Sequence, residues 1–318
     1  MRRALLALLL LSVTAAPVAA STVAEAEALL KARDPRAAVA VAPLLAADPR
    51  DPAVRVLQTR ALLQQRKAKD ALEFAEETVE LSPGHAPAHY WLGNAYGARI
   101  GQVGMLSQAS MAPKIRASFQ RAIELDPNLH DARTGLVEFY LQAPGIVGGS
   151  VDEARKQADE LMRRDPPRGH YARARVLAKE GKEAQAGQAY LAAHAARPQQ
   201  AEFRMAAGMV HQQSGDWDKA FAIFETWTRE EPKAAGAWYQ LGRAAALSGQ
   251  RLELGAEALR RFLALPAAVG DPEPKHAWYR LGQVLVHAGD KAGARAAFQQ
   301  ALKADPKFAE PKAELAKL

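Results

Sequence analysis

The sequence predicts an all-α protein built as an array of antiparallel helix pairs, and two observations carry this prediction. Alanine and leucine supply most of the apolar residues, which make up 49% of the 318-residue chain. Both rank high in helix propensity because they lose little side-chain freedom in a helix. Prolines also recur at the ends of apolar-periodic stretches, at intervals close to 34 residues. Such an interval is typical of stacked helical repeats.

The first element, residues 1–20, is predicted to be an export signal. Arg2 and Arg3 give a positive start, residues 5–11 form an apolar run, and the small residues up to Ala20 favour cleavage after that position. The run is too short to cross ~30 Å of hydrocarbon as a helix. We therefore expect a periplasmic or secreted protein without a stable membrane span after cleavage. An uncleaved signal acting as an anchor is the alternative.

The solenoid is predicted over the remaining residues, 21–318. A proline ends a helix because it lacks the amide hydrogen and restricts the residue before it. Four of the seven intervals between the prolines fall within two residues of 34, and the others are longer. The predicted unit ends are Pro49, Pro83, Pro127, Pro166, Pro198, Pro232, Pro266 and Pro306.

The residues inside the units repeat in register. Small residues, such as Gly93 and Gly282, are predicted where the two helices of a unit approach closely, and large ones, such as Phe119 and Phe298, where neighbouring units meet. The last unit shows the pattern most completely, with Trp278, Leu281, Gly282, Leu285, Gly289, Ala294, Phe298, Ala301 and Pro306.

This pattern resembles the tetratricopeptide repeat family over about residues 22–306. The resemblance, together with the predicted signal, suggests an exported member of that family. It implies a right-handed solenoid of about seven to eight antiparallel helix pairs, because each pair can bury its apolar face only against its neighbours. A short helix at 309–318 would cap the C-terminal end.

Two segments exceed the repeat length at the same place in successive units, between the first and the second helix. The first, at about 99–114, is rich in Gly, Ser and Met, and the second is residues 143–150. Both are predicted to be loop insertions. Long ordered loops often carry function, but surface length is also tolerated without one.

The composition excludes several kinds of site. The chain has no cysteine, so it has no disulfide, thiolate metal site or cysteine nucleophile. Gly181-Lys182 lacks the upstream glycine of a phosphate loop. His85 and His89 have a metal-like spacing, but no acidic residue occurs in 86–122 to complete a site. We expect no catalytic residue, no cofactor and no metal, and hence a protein that is not an enzyme.

In the family that the sequence resembles, one face of the first helix of each unit lines a concave groove. Tyrosine and arginine suit such a groove, since tyrosine is a rigid apolar body with a hydroxyl and arginine is a planar fork for carboxylates. The groove residues that the resemblance implies are Arg60, Tyr90, Asn94, Tyr171, Arg175, Met205, Met209, Tyr239, Arg243 and Tyr279.

The predicted partner is a protein or peptide with an acidic segment or a C-terminal carboxylate, seated near Tyr90, Asn94, Tyr171 and Arg175. The net charge of +7 agrees with acidic partners, and an exported protein is not expected to meet nucleic acid. The predicted function is a scaffold or assembly factor of the cell envelope.

Three alternatives remain open at this point. The first is a glycan- or cell-wall-associated accessory protein of envelope or polysaccharide machinery, in which the tyrosines stack on sugar rings. The second is an enzyme with a site in the two insertions. The third is that the predicted groove residues only pack against the next unit, while the arginines keep the protein soluble.

Overall fold

A computed structural model describes residues 22–266 and 270–318. Within these residues the chain forms seventeen α-helices, one short 3₁₀ helix and no β-strand. The prediction of an all-α fold is confirmed. The predicted export signal, residues 1–20, lies outside the described residues. No helix in the described part of the chain is long and apolar enough to cross a membrane.

The helices follow one another with short connections. They are α1 Val23–Lys31, α2 Ala37–Ala47, α3 Pro52–Gln64, α4 Ala68–Leu81, α5 Ala86–Ile100, α6 Met105–Leu125, α7 His130–Gln142, α8 Val151–Arg164, α9 Pro166–Lys179, α10 Glu183–Ala196, α11 Ala201–Ser214, α12 Trp217–Glu230, α13 Ala235–Ser248, α14 Leu252–Ala264, α15 Pro274–His287, α16 Lys291–Ala304 and α17 Ala309–Leu315. The 3₁₀ helix η1, Gly145–Val147, lies between α7 and α8.

Consecutive helices pack as eight antiparallel pairs, from α1 with α2 to α15 with α16, and α17 packs against α16. The first helices of several successive units also contact each other, as α5 does α7 and α13 does α15. This arrangement is a helix-pair solenoid whose core lies between the pairs.

The eight prolines of the sequence pattern lie at the boundaries between units, and seven of them fall in the connections. Pro166 differs, because it is the first residue of α9. Proline is tolerated there since an amide hydrogen at the first helical position has no partner within the helix. Asp165 is the only residue between α8 and α9, and its carboxylate caps α9.

Glycines allow the close helix contacts that the sequence pattern predicts. The ring of Phe119 on α6 lies against two glycines on different first helices, Gly93 of its own unit and Gly135 of the next. A Cβ atom on Gly93 would lie 2.6 Å from that ring, and one on Gly135 would lie 2.8 Å from it. Since the ring is buried, neither position has room for a side chain.

The extra length at about 99–114 lies between the two helices of the third unit, as predicted, but it is not a loop. Helix α6 begins at Met105 and runs for 21 residues, so only residues 101–104 lie outside a helix. The prediction of a loop over the whole segment is wrong. Met, Gln and Ala in this stretch are good helix formers, and they outweigh the serines that suggested a loop.

The second insertion is irregular, as predicted. It consists of η1 and flanking residues, and η1 contacts α6. Gly148 adopts a left-handed conformation with φ +104°, and a Cβ atom there would lie 2.7 Å from a guanidinium nitrogen of Arg116. The second insertion therefore contacts α6 just beyond the first insertion, at Arg116.

The array curls until its first unit meets its seventh and eighth. In the turn between α1 and α2, Arg33 Nη1 lies 3.4 Å from Asp271 Oδ1 in the α14–α15 connection. Asp34 Oδ2 in the same turn lies 3.6 Å from Lys233 Nζ, just before α13. We call these two ion pairs the seam. They bring together residues that are about two hundred positions apart in the sequence.

Candidate functional site

The inner wall of the curled array contains a central groove of about 1580 Å³. Four predicted groove residues line it, namely Tyr171 and Arg175 on α9 and Met205 and Met209 on α11. Tyr190 on α10 also lines the groove. The groove is closed on one side by the α1–α2 turn, residues 31–35, which the seam holds against the far wall.

Tyr171 is the centre of an aromatic cluster in this wall. Its ring centroid lies 5.2 Å from that of Phe203 and 5.5 Å from that of Tyr190. Burial raises the pKa of the Tyr171 hydroxyl to about 12, against the opposing effect of Arg175. The phenol therefore stays neutral at physiological pH and can donate a hydrogen bond to a ligand.

Arg175 is not available to a carboxylate of a partner. Its Nε and Nη2 atoms donate to the two carboxylate oxygens of Glu138 at 2.8 and 2.7 Å. Hydrogen bonds from Arg175 to Glu138 raise the pKa of Arg175, although burial opposes the shift. The predicted carboxylate seat at Arg175 is therefore already occupied by an internal carboxylate, a bidentate arrangement that is among the stronger charged hydrogen bonds.

A second predicted arginine, Arg243 on α13, has no carboxylate partner in the described part of the chain. Its guanidinium donates to the side-chain oxygens of Gln212 and Gln240, and Gln240 also lines the central groove. Burial lowers the pKa of Arg243, and the charge of Arg280 lowers it further. Arg280 itself donates to Gln283 at 2.8 Å. The two cations therefore lie near each other, but neither lines the central groove, which Arg243 reaches only through Gln240.

Three other predicted groove residues do not line a cavity. Tyr239 is only 8% exposed and belongs to the core, where its ring packs 5.4 Å from Phe262. Tyr279 packs between Phe298 and Phe308. Arg60 lies over the ring of Trp91 at 5.2 Å. In these units the predicted groove residues serve packing, which is the alternative in which they do not bind a partner.

The remaining two predicted residues, Tyr90 and Asn94, line a second cavity of about 870 Å³, which we call the insertion cleft. Its walls are α5 and α7 together with the two insertions, represented by Met105 and Ile146. Burial raises the pKa of the Tyr90 hydroxyl to about 12. The cleft and the central groove share Tyr171, so they are neighbours on one continuous surface.

Two features were not predicted from the sequence. One is that insertion residues line a cleft, and the other is the seam. Exposed apolar residues such as Met105 and Ile146 were a usable signal, because an apolar residue in a polar segment calls for a partner. The ion pairs of Arg175 and the seam had no such signal, since their partners lie 37 and more than 190 residues away.

No group of His, Cys, Asp and Glu side chains in residues 22–266 and 270–318 is arranged to hold a metal ion. His89, one of the two histidines with metal-like spacing, is buried, and its Nε2 atom lies 2.9 Å from the carbonyl oxygen of Pro83. This contact explains the histidine as a structural residue of the α4–α5 turn.

Comparison with known proteins identifies relatives of the sequence pattern and of the fold. A family model described as tetratricopeptide repeat matches residues 23–86, 205–267 and 245–307, which together are just over half of the chain. No curated protein matches the sequence.

Several solved structures have a similar fold. The APC/C hetero-tetramer Cut9–Hcn1 is 16% identical with a TM-score of 0.59, over 92% of this chain and 54% of that one, so this chain spans about half the length of that relative. The protein TTC0263 of Thermus thermophilus is 18% identical with a TM-score of 0.53, over 59% of this chain and 96% of that one. PilF of Pseudomonas aeruginosa is 15% identical with a TM-score of 0.51, over 73% and 97%. At these identities the likeness concerns the fold.

Proposed function

The chain belongs to the tetratricopeptide repeat family, and from this premise we propose that it is a non-enzymatic, polypeptide-binding scaffold or assembly factor of the cell envelope. Proteins of this family generally act as protein-interaction scaffolds. The envelope location rests on the signal-like residues 1–20. The partner, in this proposal, is an extended polypeptide segment held in the central groove.

The observation that carries the proposal is the chemistry of the groove wall. Met205 and Met209 offer adaptable apolar surface, and Tyr171 adds a rigid ring with a neutral hydroxyl donor. Methionine and tyrosine are enriched where proteins bind other proteins. The volume of about 1580 Å³ is larger than the usual range for small-molecule sites, which favours a chain segment over a metabolite.

The acidic or carboxylate character of the partner is assigned in this proposal to Arg243 and Arg280, beside the groove near Gln240. Their positive charges repel each other, and in the described residues the two guanidinium groups donate hydrogen bonds only to glutamine side chains. A carboxylate between them would relieve the repulsion and accept charged hydrogen bonds. The partner's acidic side chain or C-terminus therefore binds here, whereas Arg175 is held by Glu138.

The glycan alternative is less well supported by the packing of the tyrosines. Stacking on a sugar requires a ring face that is open to the groove. The rings of Tyr171, Tyr239 and Tyr279 each pack against at least one further aromatic ring at 5.2–5.9 Å. Polypeptide binding needs only their edges and hydroxyl groups.

Site-directed photocrosslinking tests the proposal. A photoreactive amino acid at position 209 is exposed to a native envelope extract, and the captured material is treated with protease or with glycosidases. We expect protease-sensitive adducts, which Met205→Glu introduced beside the crosslinker abolishes. Val286→Glu, at an exposed apolar residue that lines neither cavity, is the control and leaves capture intact.

Protease-resistant adducts that glycosidases release would contradict the proposal in favour of the glycan alternative. For the acidic end, Arg243→Gln/Arg280→Gln lowers capture at low salt and makes the remainder insensitive to salt. The control is Arg173→Gln/Arg229→Gln, which also removes two exposed positive charges, on α9 and α12, outside both cavities. Equal losses in both variants would show that only net charge matters.

A further inference from the structure

We propose that the insertion cleft is a second, separate docking site, which takes an amphipathic polypeptide segment carrying apolar and basic side chains. It differs from the central groove in its walls and in the charge of its ligand. The inference does not depend on what the central groove binds. It rests on the shape of the cleft floor, on its apolar rim and on its charge.

The floor of the cleft is built from residues without bulk. Gly97 and Ala98 on α5 and Ala109 and Ala112 on α6 all line it. Gly97 is exposed, and a Cβ atom added to it would meet no atom within 4 Å. Gly93, about one turn earlier on the same helix, is instead covered by the ring of Phe119, so the space above Gly97 is open to a side chain of a partner.

The rim of the cleft is apolar and open to solvent. Met105 is 85% exposed, Leu106 next to it 91%, and Ile146 on the opposite insertion 97%. Met105 and Ile146 both line the cleft, so the two insertions contribute to one apolar surface. Exposed apolar groups gathered around a cavity mark binding surfaces more often than scattered single residues do.

The charge of the lining selects the ligand. Three carboxylates line the cleft, those of Asp131, Glu138 and Glu202, and Arg168 is the only lysine or arginine among its lining residues. Glu138 accepts two hydrogen bonds from Arg175, so its charge is already paired. Arg168 is already held by Asp131 at 2.8 Å and by Asp165 at 2.6 Å. Glu202 forms no ion pair in the described part of the chain. Its carboxylate accepts only from the amide of Gln200 at 2.7 Å.

An apolar cavity with surplus negative charge complements a segment in which leucine-like side chains alternate with lysine or arginine. An apolar side chain of the partner fills the space above Gly97, and its basic group reaches Glu202. This ligand is opposite in charge to the one proposed for Arg243 and Arg280, although the protein as a whole is basic. Glu202 also lines the central groove, so the two sites are separated by variants at Gly97, which lines the cleft and not the groove.

The experiment measures fluorescence anisotropy of two labelled peptides with the full protein. One is an amphipathic peptide of leucine and lysine, and the other has glutamate in place of every lysine. We expect the lysine peptide to bind at least about tenfold more tightly than the glutamate peptide, and its affinity to fall as salt rises.

Variants at the cleft locate the binding. Gly97→Phe adds a ring where an added Cβ atom meets no other atom. It is expected to weaken the lysine peptide by at least about tenfold, whereas Gly97→Ala leaves affinity within about twofold. Glu202→Gln lowers affinity for the lysine peptide and reduces its salt dependence. Crosslinking from position 209 in the central groove stays unchanged in Gly97→Phe, which keeps the two sites distinguishable.

Equal binding of both peptides, or full binding of the lysine peptide to Gly97→Phe, would overturn the proposal. Exposed apolar residues of this kind can also bind a lipid membrane instead of a polypeptide. Cosedimentation with phosphatidylcholine vesicles that is lost in Met105→Ser/Ile146→Ser, together with unselective peptide binding, would assign the surface to lipid and would also overturn it.

Discussion

Single side chains set the closest distances in this solenoid. Phe224, which is fully buried, lies directly against the Cα of Gly208 on the neighbouring helix. Phe119 has the same relation to Gly93 and Gly135. At these points glycine, which has no Cβ atom, sets the distance between the two helices. Neither the backbone nor the ring can move away from an added methyl group, because the interior is close-packed.

Gly208→Ala is expected to destabilise the protein. The added methyl overlaps the Phe224 ring, and overpacking of this kind costs about 1–3 kcal/mol, which exceeds the ~1 kcal/mol that alanine gains in helix propensity. Gly97→Ala is the matched control, since its methyl meets nothing and should stabilise by up to ~1 kcal/mol. Urea denaturation followed by circular dichroism measures both, and a stabilised Gly208→Ala would contradict the packing.

Asp165 joins two units through its carboxylate. It accepts from Arg168 at 2.6 Å and from Arg197 at 2.9 Å, and it is buried. Burial acts to raise its pKa, but the hydrogen bonds from Arg168 and Arg197 outweigh this and hold the pKa below its usual range. Ionised Asp165 therefore favours the folded state.

Asp165→Asn should cost about 1–3 kcal/mol at pH 7. Because the folded pKa lies below the unfolded value of about 3.9, the contribution is complete above that pH and is lost as pH falls through the folded pKa. Chemical denaturation of wild type and variant from pH 7 to pH 3 checks this. The gap between them should shrink with acidity, whereas exposed Asp159→Asn should show no gap at any pH.

At the residue scale, the resemblance to the repeat family predicted Met205 and Tyr171 on the concave face of their helices, and both side chains line the central groove. Sequence reasoning placed a ligand carboxylate at Arg175 because the sequence does not reveal that Glu138, on another unit, reaches that guanidinium. Which arginines are left for a partner depends on contacts across units.

Among the helices, α6 departs furthest from the repeat. It is 21 residues long and has Pro113 inside it. The proline removes one hydrogen bond of the helix ladder and crowds the preceding turn. Residues 105–112, which form one wall of the insertion cleft, are therefore joined to the rest of α6 less firmly than a continuous helix would be.

Pro113→Ala is expected to restore that hydrogen bond and to stiffen the first turns of α6. Interior proline costs about 3 kcal/mol in a helix, so amide exchange within 108–112 should slow by at least about tenfold. Hydrogen–deuterium exchange with mass spectrometry measures the change. Peptides covering 116–125 are the internal control and should exchange as before, and an unchanged rate at 108–112 would show that packing already fixes this segment.

The helix pairs were predictable because proline rhythm and glycine–aromatic spacing act locally. The first two turns of α6 were not recognised, since glycine and serine around Met105 are typical of loops. Their helical state depends on continuation into 114–125, whose apolar face is buried through Ile115, Phe119 and Ala122.

At the scale of the whole molecule, the two ion pairs of the seam join the first unit to the far end of the array. Both ion pairs involve a side chain that is more than half exposed, Arg33 or Lys233. Pairs of this kind contribute about 0–1 kcal/mol each and weaken with salt. The curvature of the stacked units brings the two edges together, and the seam adds only a small preference for contact.

Lys233→Glu is expected to open the array, because it faces Asp34 with a like charge. Small-angle X-ray scattering should show a larger radius of gyration than wild type at low salt, and raising the salt should move wild type toward the variant. Lys219→Glu makes the same change of charge against Asp216 within its own turn, and it should leave the radius unchanged. A seam variant as compact as wild type would show that stacking alone closes the array.

The seam was beyond the reach of sequence reasoning, because small rotations between eight successive units accumulate before Arg33 and Asp271 meet. No local pattern records that sum.

Because the array closes on itself at the seam, it also affects the order in which a complex is assembled. A ligand with a free terminus can enter the central groove end-on while the seam stays closed. A segment held between two folded domains cannot enter end-on. It enters from the side, after the ion pairs of Arg33 and Lys233 have separated. Ionic strength would then change the loading rate of looped or doubly anchored ligands while leaving tails almost unaffected.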